Sequence, residues 1–289
     1  MRPVAAPSSC WCTACRPNPD PSPDPSPDPN PDPNTDPTPD PNPTPNPNQG
    51  CVVASGGTDN TARLWDARSC RCLRTVPHPA PVEAVALREV AAPGGTPGGV
   101  GAIEDMRLAT GDNEGTLRVW AGSSGECLHT LPRQHAAAVR GLRWVGEAAL
   151  FSGAADGTVA YADLLRGGAR TGGAPEEQHA GAVCALALQQ GGGAGGGGGG
   201  AGGEQVAATA GEDCQIKLWS LRADAAPACS RTLSGHAGTV RGVAMEGELL
   251  VSGSDDCSIR VWSLASGQCV ENVTAKVTLT PTPALTLTR

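Results

Sequence analysis

Between residues 51 and 270 the chain repeats itself every ~42 residues, and a period of that size limits the architecture before any other property is weighed. Four segments share one pattern: Ser55 to Trp65, Thr110 to Trp120, Thr209 to Trp219 and Ser252 to Trp262. A fifth, Ser152 to Ala162, keeps the spacing but has Ala where the others have Trp. In each, a Ser or Thr stands ten residues before the Trp position and an acid six before it: Asp59, Glu114, Asp156, Asp213 and Asp256. Upstream, His78, His135, His179 and His236 are each followed four residues later by Val82, Val139, Val183 and Val240, which open short alternating runs. Period-two alternation marks a half-buried strand.

Three strands per unit follow, and a fourth falls after the Trp at C-L-R-T-V, C-L-H-T-L, C-S-R-T-L and Q-C-V-E-N-V. Four short strands in ~42 residues make one blade of a β-propeller. The expected fold is all-β: about five four-stranded blades, as a closed ring or an incomplete one, over residues 51–280. The units are about 51–76, 77–132, 133–172, 173–233 and 234–272. The first lacks its opening strand. Residues 273–280 alternate Val, Ala, Val and Leu with Thr and Lys, which predicts a closing strand beside 51–55 that would protect an open sheet edge.

The flanks differ. Residues 1–50 hold 17 of the 27 prolines, and Pro alternates with Asn, Asp, Ser or Thr from Pro17 to Pro47. Such a segment has nothing apolar to bury and is expected to be extended and disordered. Residues 281–289 are expected to be a disordered end. Gly-rich inserts occupy the connection between the first two strands in the second unit and, at 191–203, in the fourth, and read as tolerated linkers.

These residues resemble the WD-repeat propeller family over about 51–270, and the Trp-Asp dipeptide of that family stands once, as Trp65-Asp66. The resemblance implies a buried hydrogen-bond chain of His, Ser/Thr, acid and Trp in each blade, whose donors and acceptors match one another. Two sets are complete: His179, Thr209, Asp213, Trp219 and His236, Ser252, Asp256, Trp262. The set His78, Thr110, Glu114, Trp120 has Glu for Asp; His135, Ser152, Asp156 lacks Trp; Ser55, Asp59, Trp65 lacks His. A catalytic constellation occurs once per chain and these sets recur once per blade, so they read as structural.

No G-x-S-x-G, H-E-x-x-H or phosphate-cradling glycine motif is present. Cys10, Cys12 and Cys15 lack a fourth ligand nearby, so no metal site and no cofactor is expected. A net charge of −8 argues against a broad nucleic-acid surface, and no apolar run of membrane-spanning length occurs. The opening Met1–Pro7 has no apolar core of a secretory signal, which points to a reducing compartment, cytoplasmic or nuclear.

The reading is a non-catalytic scaffold that binds proteins or peptides on the top face of the propeller, monomeric if the ring closes and self-associating if it stays open. The short connections of V-R-G-V-A-M-E-G-E-L-L-V-S-G-S-D-D also resemble the propellers of F-box WD-repeat substrate receptors, in which Arg at the second position of the first strand holds a phosphorylated degron. Arg140 and Arg241 match that position, and Glu83 and Cys184 stand there in the other units. Asn113, Glu212 and Asp255, before the turn acids, belong to the same face by that resemblance. Two acids there oppose a phosphate. The alternatives are thus a ubiquitin-ligase subunit reading a phosphodegron, and a fragment of a larger WD-repeat protein.

Overall fold

A computed structural model describes residues 52–89, 106–165, 168–171, 177–189, 205–222 and 225–274. The Pro-rich segment, Cys10, Cys12 and Cys15, both Gly-rich inserts and residues 275–289 lie outside the described residues. Among the described residues there are nineteen strands in five antiparallel sheets. Each sheet is a meander of consecutive strands, and four of the five have four strands. The first has β1 (Val52–Gly56), β2 (Thr61–Asp66) and β3 (Arg71–Pro77), three strands among the described residues. The second has β4 (Val82–Glu89), β5 (Met106–Asp112), β6 (Leu117–Ala121) and β7 (Cys127–Leu131). The third has β8 (Val139–Val145), β9 (Ala149–Ala154), β10 (Val159–Asp163) and β11 (Gly168–Thr171). The fourth has β12 (Val183–Leu188), β13 (Gln205–Gly211), β14 (Gln215–Leu221) and β15 (Ala228–Ser234). The fifth has β16 (Val240–Glu246), β17 (Leu249–Ser254), β18 (Ser258–Ser263) and β19 (Cys269–Thr274).

Two details depart from the sequence reading. Val273 and Thr274, assigned to a closing strand, pair with Ile259 and Ser258 as the end of β19. The strand β11 was not anticipated, because Gly168-Ala169-Arg170-Thr171 keeps the Arg-Thr of the outer strands but not their Cys.

The contacts group the first two sheets into one compact unit and the last three into another. In the first unit, Ala54, Ala62, Leu64 and Val76 of the first sheet pack with Val82, Leu108 and Trp120 of the second. In the second unit, Phe151, Val159 and Tyr161 of the third sheet meet Leu186, Leu221 and Trp219 of the fourth. The opposite face of the fourth, with Ala208, Ile216, Leu218 and Leu233, meets Val240, Leu250 and Trp262 of the fifth. The rule is the same each time: the aliphatic face of one sheet receives the Trp face of the next. A bulge precedes the Trp pairing in β2–β3, β14–β15 and β18–β19, adding local twist where the outer strand leaves the sheet.

Candidate partner-binding surface

The recurring polar residues sit where strands can hold them rigid. In the fourth sheet Trp219 Nε1 donates to Thr209 Oγ1 at 2.7 Å, which lies 2.8 Å from His179 Nε2. On the other side of the ring, His179 Nδ1 lies 2.9 Å from Asp213 Oδ2, which also accepts the Ala180 amide. The fifth sheet repeats this: Trp262 to Ser252 at 2.8 Å, Ser252 to His236 Nε2 at 2.7 Å, and His236 Nδ1 to Asp256 at 2.9 Å. Hydrogen bonds to the carboxylates hold Asp213 and Asp256 below the ordinary range, against the opposing effect of burial.

The incomplete sets solve the same problem with other residues. In the first sheet Trp65 Nε1 still donates to Ser55 at 2.8 Å, and Asp59 instead takes the Thr61 hydroxyl and the Arg63 guanidinium. In the second, Trp120 and His78 bind Thr110 as expected, but the acid is not Glu114, which is exposed in the turn. Asp112, 1% exposed, takes its place and accepts Arg118 Nη1 at 2.8 Å, beside His78. Glu is one methylene too long for the turn, and Asp112 two residues earlier supplies the charge; its pairing with Arg118 six residues on was the available signal. Burial, and then Arg118, push the His78 imidazole below its usual value. In the third sheet Thr158 is inserted into the chain. Its hydroxyl lies 2.6 Å from His135 Nδ1 and 2.6 Å from Asp156 Oδ1, while His135 Nε2 keeps Ser152 at 2.7 Å. His78, Thr110, His135, Ser152, His179, Thr209, His236 and Ser252 are all buried.

The other predicted residues lie outside this buried chain. Arg140, Cys184 and Arg241 each occupy the second position of the first strand in the three sheets of the second unit. Arg140 and Arg241 are exposed and Cys184 is half-buried. Burial raises the Cys184 thiol; Arg241 and Arg140 oppose that shift, while Glu212 and Asp255 add to it, so all five lie within electrostatic reach. Arg241 forks Asp255, with Nη2 2.8 Å and Nε 3.0 Å from Oδ2, and Glu212 Oε2 accepts the Ala182 amide at 3.4 Å. That pair raises the Arg241 guanidinium and lowers the Asp255 carboxyl. Glu83 is half-buried on β4, in the first unit, and Asn113 is exposed in the β5–β6 turn. Among the described residues, no group of three or more His, Cys, Asp or Glu is arranged to hold a metal ion, and eight cysteines are free thiols.

The family model described as WD domain, G-beta repeat matches residues 45–66, 125–161 and 227–263. The matched stretches are WD40 repeats. Its matches at 125–161 and 227–263 each start on the outer strand of one sheet and end on the third strand of the next. WD40 sequence repeats and WD40 sheets are therefore offset by one strand here. Transducin beta-like protein 3 of Homo sapiens is 34% identical over 89 residues, which is 28% of this chain and 10% of that protein. The proteins of the same name from Bos taurus and Mus musculus are 38% and 36% identical over 85 and 86 residues, again 29% of this chain and 10% of theirs. The chain thus spans about a tenth of the length of these curated relatives. WD40 proteins as a family are protein-interaction scaffolds, typically without catalysis.

Proposed function

We propose that this WD40 chain is a non-catalytic scaffold whose partner-binding surface is the charged patch of Arg140, Cys184, Arg241, Glu212 and Asp255. The observation that carries this is the convergence of the three strand-second positions and two turn acids on one exposed surface of a rigid sheet stack. The recurring histidines and acids are consumed by the blades, which leaves this patch as the reactive chemistry on the surface. Its two arginines and two acids suit an extended peptide or protein loop that carries both charge signs. A phosphorylated degron is the weaker reading: Asp255 already occupies the Arg241 fork, and a phosphate must displace it beside Glu212. The cytoplasm or nucleus is the compartment consistent with eight unpaired thiols.

The test is an array of peptides of varied charge pattern, bound to the wild-type chain and to Arg140→Glu and Glu212→Lys. Both changes sit at exposed positions, so the melting temperature should stay put while the bound peptides change. Arg140→Glu should lose peptides rich in acids, and Glu212→Lys should lose those rich in bases. An array pattern identical across all three proteins sinks the assignment.

A further inference from the structure

The aliphatic face of the fifth sheet is uncovered among the described residues. Ile259 is 52% exposed, Val251 40% and Val273 51%, whereas their counterparts in the fourth sheet, Ile216, Ala208 and Leu233, are 0%, 0% and 2% exposed. The third sheet buries the corresponding Val159 and Phe151 completely. In the second unit that face always meets the Trp face of the following sheet. The first sheet has the opposite deficiency: Trp65 is only half-buried, whereas Trp120, Trp219 and Trp262 are 7%, 0% and 2% exposed.

A second feature marks the same two sheets. An outer-strand arginine fastens the first sheet to the second and the fourth to the fifth. Arg231 Nη1 donates to the Leu264 and Ala265 carbonyls in the β18–β19 turn at 3.3 and 3.0 Å, and Arg74 Nη2 donates to the Ser123 carbonyl in the β6–β7 turn. The arginine crosses a left-handed glycine of that turn, Gly267 or Gly125, and a Cβ on Gly267 would collide with the Arg231 side chain. In the fifth sheet the fastening position is Glu271, identified by the Cys269 Sγ–H that donates to its carbonyl, as Cys229 does to Arg231. In the first sheet the crossing position is Cys70, also left-handed at φ 55°, flanked by exposed Arg68 and Arg71. So the fifth sheet offers an acid where the first and fourth offer an arginine, and the first sheet offers bases where the second and fifth offer a glycine turn.

We infer that the chain self-associates head to tail, with the Trp65 face of one copy seated on the Val251–Ile259–Val273 face of a second, and Glu271 of the second meeting Arg68 and Arg71 of the first. Shape follows the sheet-on-sheet rule seen inside each unit, and the reversed charges set the register and exclude an arginine-type fastening. The contact is heterologous, so each added copy leaves one Trp face and one aliphatic face free, and growth ends only if a ring closes.

Sedimentation velocity of the full chain over a wide concentration range tests this. A series of species that shifts to larger sizes with concentration is expected. Ile259→Lys, at a position exposed in the single chain, should weaken association by about tenfold or more. Glu271→Arg, fully at the surface, should weaken it by several-fold, and pairing it with Arg71→Glu should restore it. A single monomeric species at every concentration assigns the cover of this face to the chain itself and overturns the inference. Association that ignores both Ile259→Lys and Glu271→Arg overturns it equally.

Discussion

Lowering the pH from neutral toward 4 should destabilise the chain through His135. His135 is 4% exposed and its Nδ1 bonds Thr158 rather than an acid, which leaves Asp156 4.0 Å away. His179 and His236 have a carboxylate at 2.9 Å instead. Burial therefore dominates over Asp156 and holds the His135 imidazole at about 4, against 6.5 for an ordinary histidine. The unfolded chain takes up the proton first. Stability is complete above pH 6.5 and falls through the interval down to about 4. One proton costs ~1.4 kcal/mol per pH unit, so about 3 kcal/mol is lost across the interval. The lowered carboxyls of Asp213 and Asp256 act with the same sign but in a lower window. Their contribution is present above the unfolded carboxylate value of 3.8 and is lost only below it, so it does not overlap. Urea unfolding at half-unit steps of pH, for wild type and His135→Gln, measures the effect. The substitution should lower stability at pH 7 yet flatten the slope between pH 6.5 and 4, leaving the smaller, same-sign contribution of His78. An unchanged slope in His135→Gln refutes the reasoning.

Trp219→Ala removes a fully buried indole and should cost ~3–5 kcal/mol in urea unfolding, whereas Trp219→Phe, which keeps most of the volume and loses the bond to Thr209, should cost about half as much. At the turn position before the third strand of each sheet the backbone is left-handed, and Cys257 occupies it at φ 62°. Cys257→Gly should raise the melting midpoint, with a gain of up to ~1 kcal/mol, while Gly157→Ala, whose Cβ would strike the His179 carbonyl oxygen, should lower stability by at least ~2 kcal/mol. Asp112→Asn removes the negative charge buried against Arg118 and should cost ~2–4 kcal/mol, and Glu114→Gln in the exposed turn should stay within ~0.5 kcal/mol by the same denaturation measurement.

Spacing carried much of the fold into the sequence, because an antiparallel hairpin sets it directly. A Ser ten residues before a Trp lands diagonally across two paired strands, as Ser55 and Trp65 do when Val53 pairs with Trp65. Repetition then separated a structural histidine from a catalytic one. What escaped were the places where a different residue does the same job. Asp112 does the work expected of Glu114, Thr158 steps between His135 and Asp156, and β11 pairs without the outer-strand Cys. The candidate surface was legible by position and not by pairing. Arg140 and Arg241 are two sheets apart in chain order, and their meeting around Cys184 depends on how three sheets stack. The Asp255 fork on Arg241, which weighs against a phosphate ligand, depends on side-chain reach that no period encodes.

Because each sheet is a meander of neighbouring strands, it can form as soon as its own ~40 residues have left the ribosome, without waiting for distant chain. The arginine fastening, though, points only forward: Arg74 and Arg231 need the turn of the sheet that follows. A growing chain therefore always presents one finished sheet whose aliphatic side is bare, for the few seconds that synthesis of the next requires. The Gly-rich inserts before β5 and β13 lengthen that delay inside the second and fourth sheets, so the first and third sheets stay open longest on a translating chain. Leu64 and Phe151, fully buried once the following sheet is seated, are then among the apolar side chains left bare for that interval.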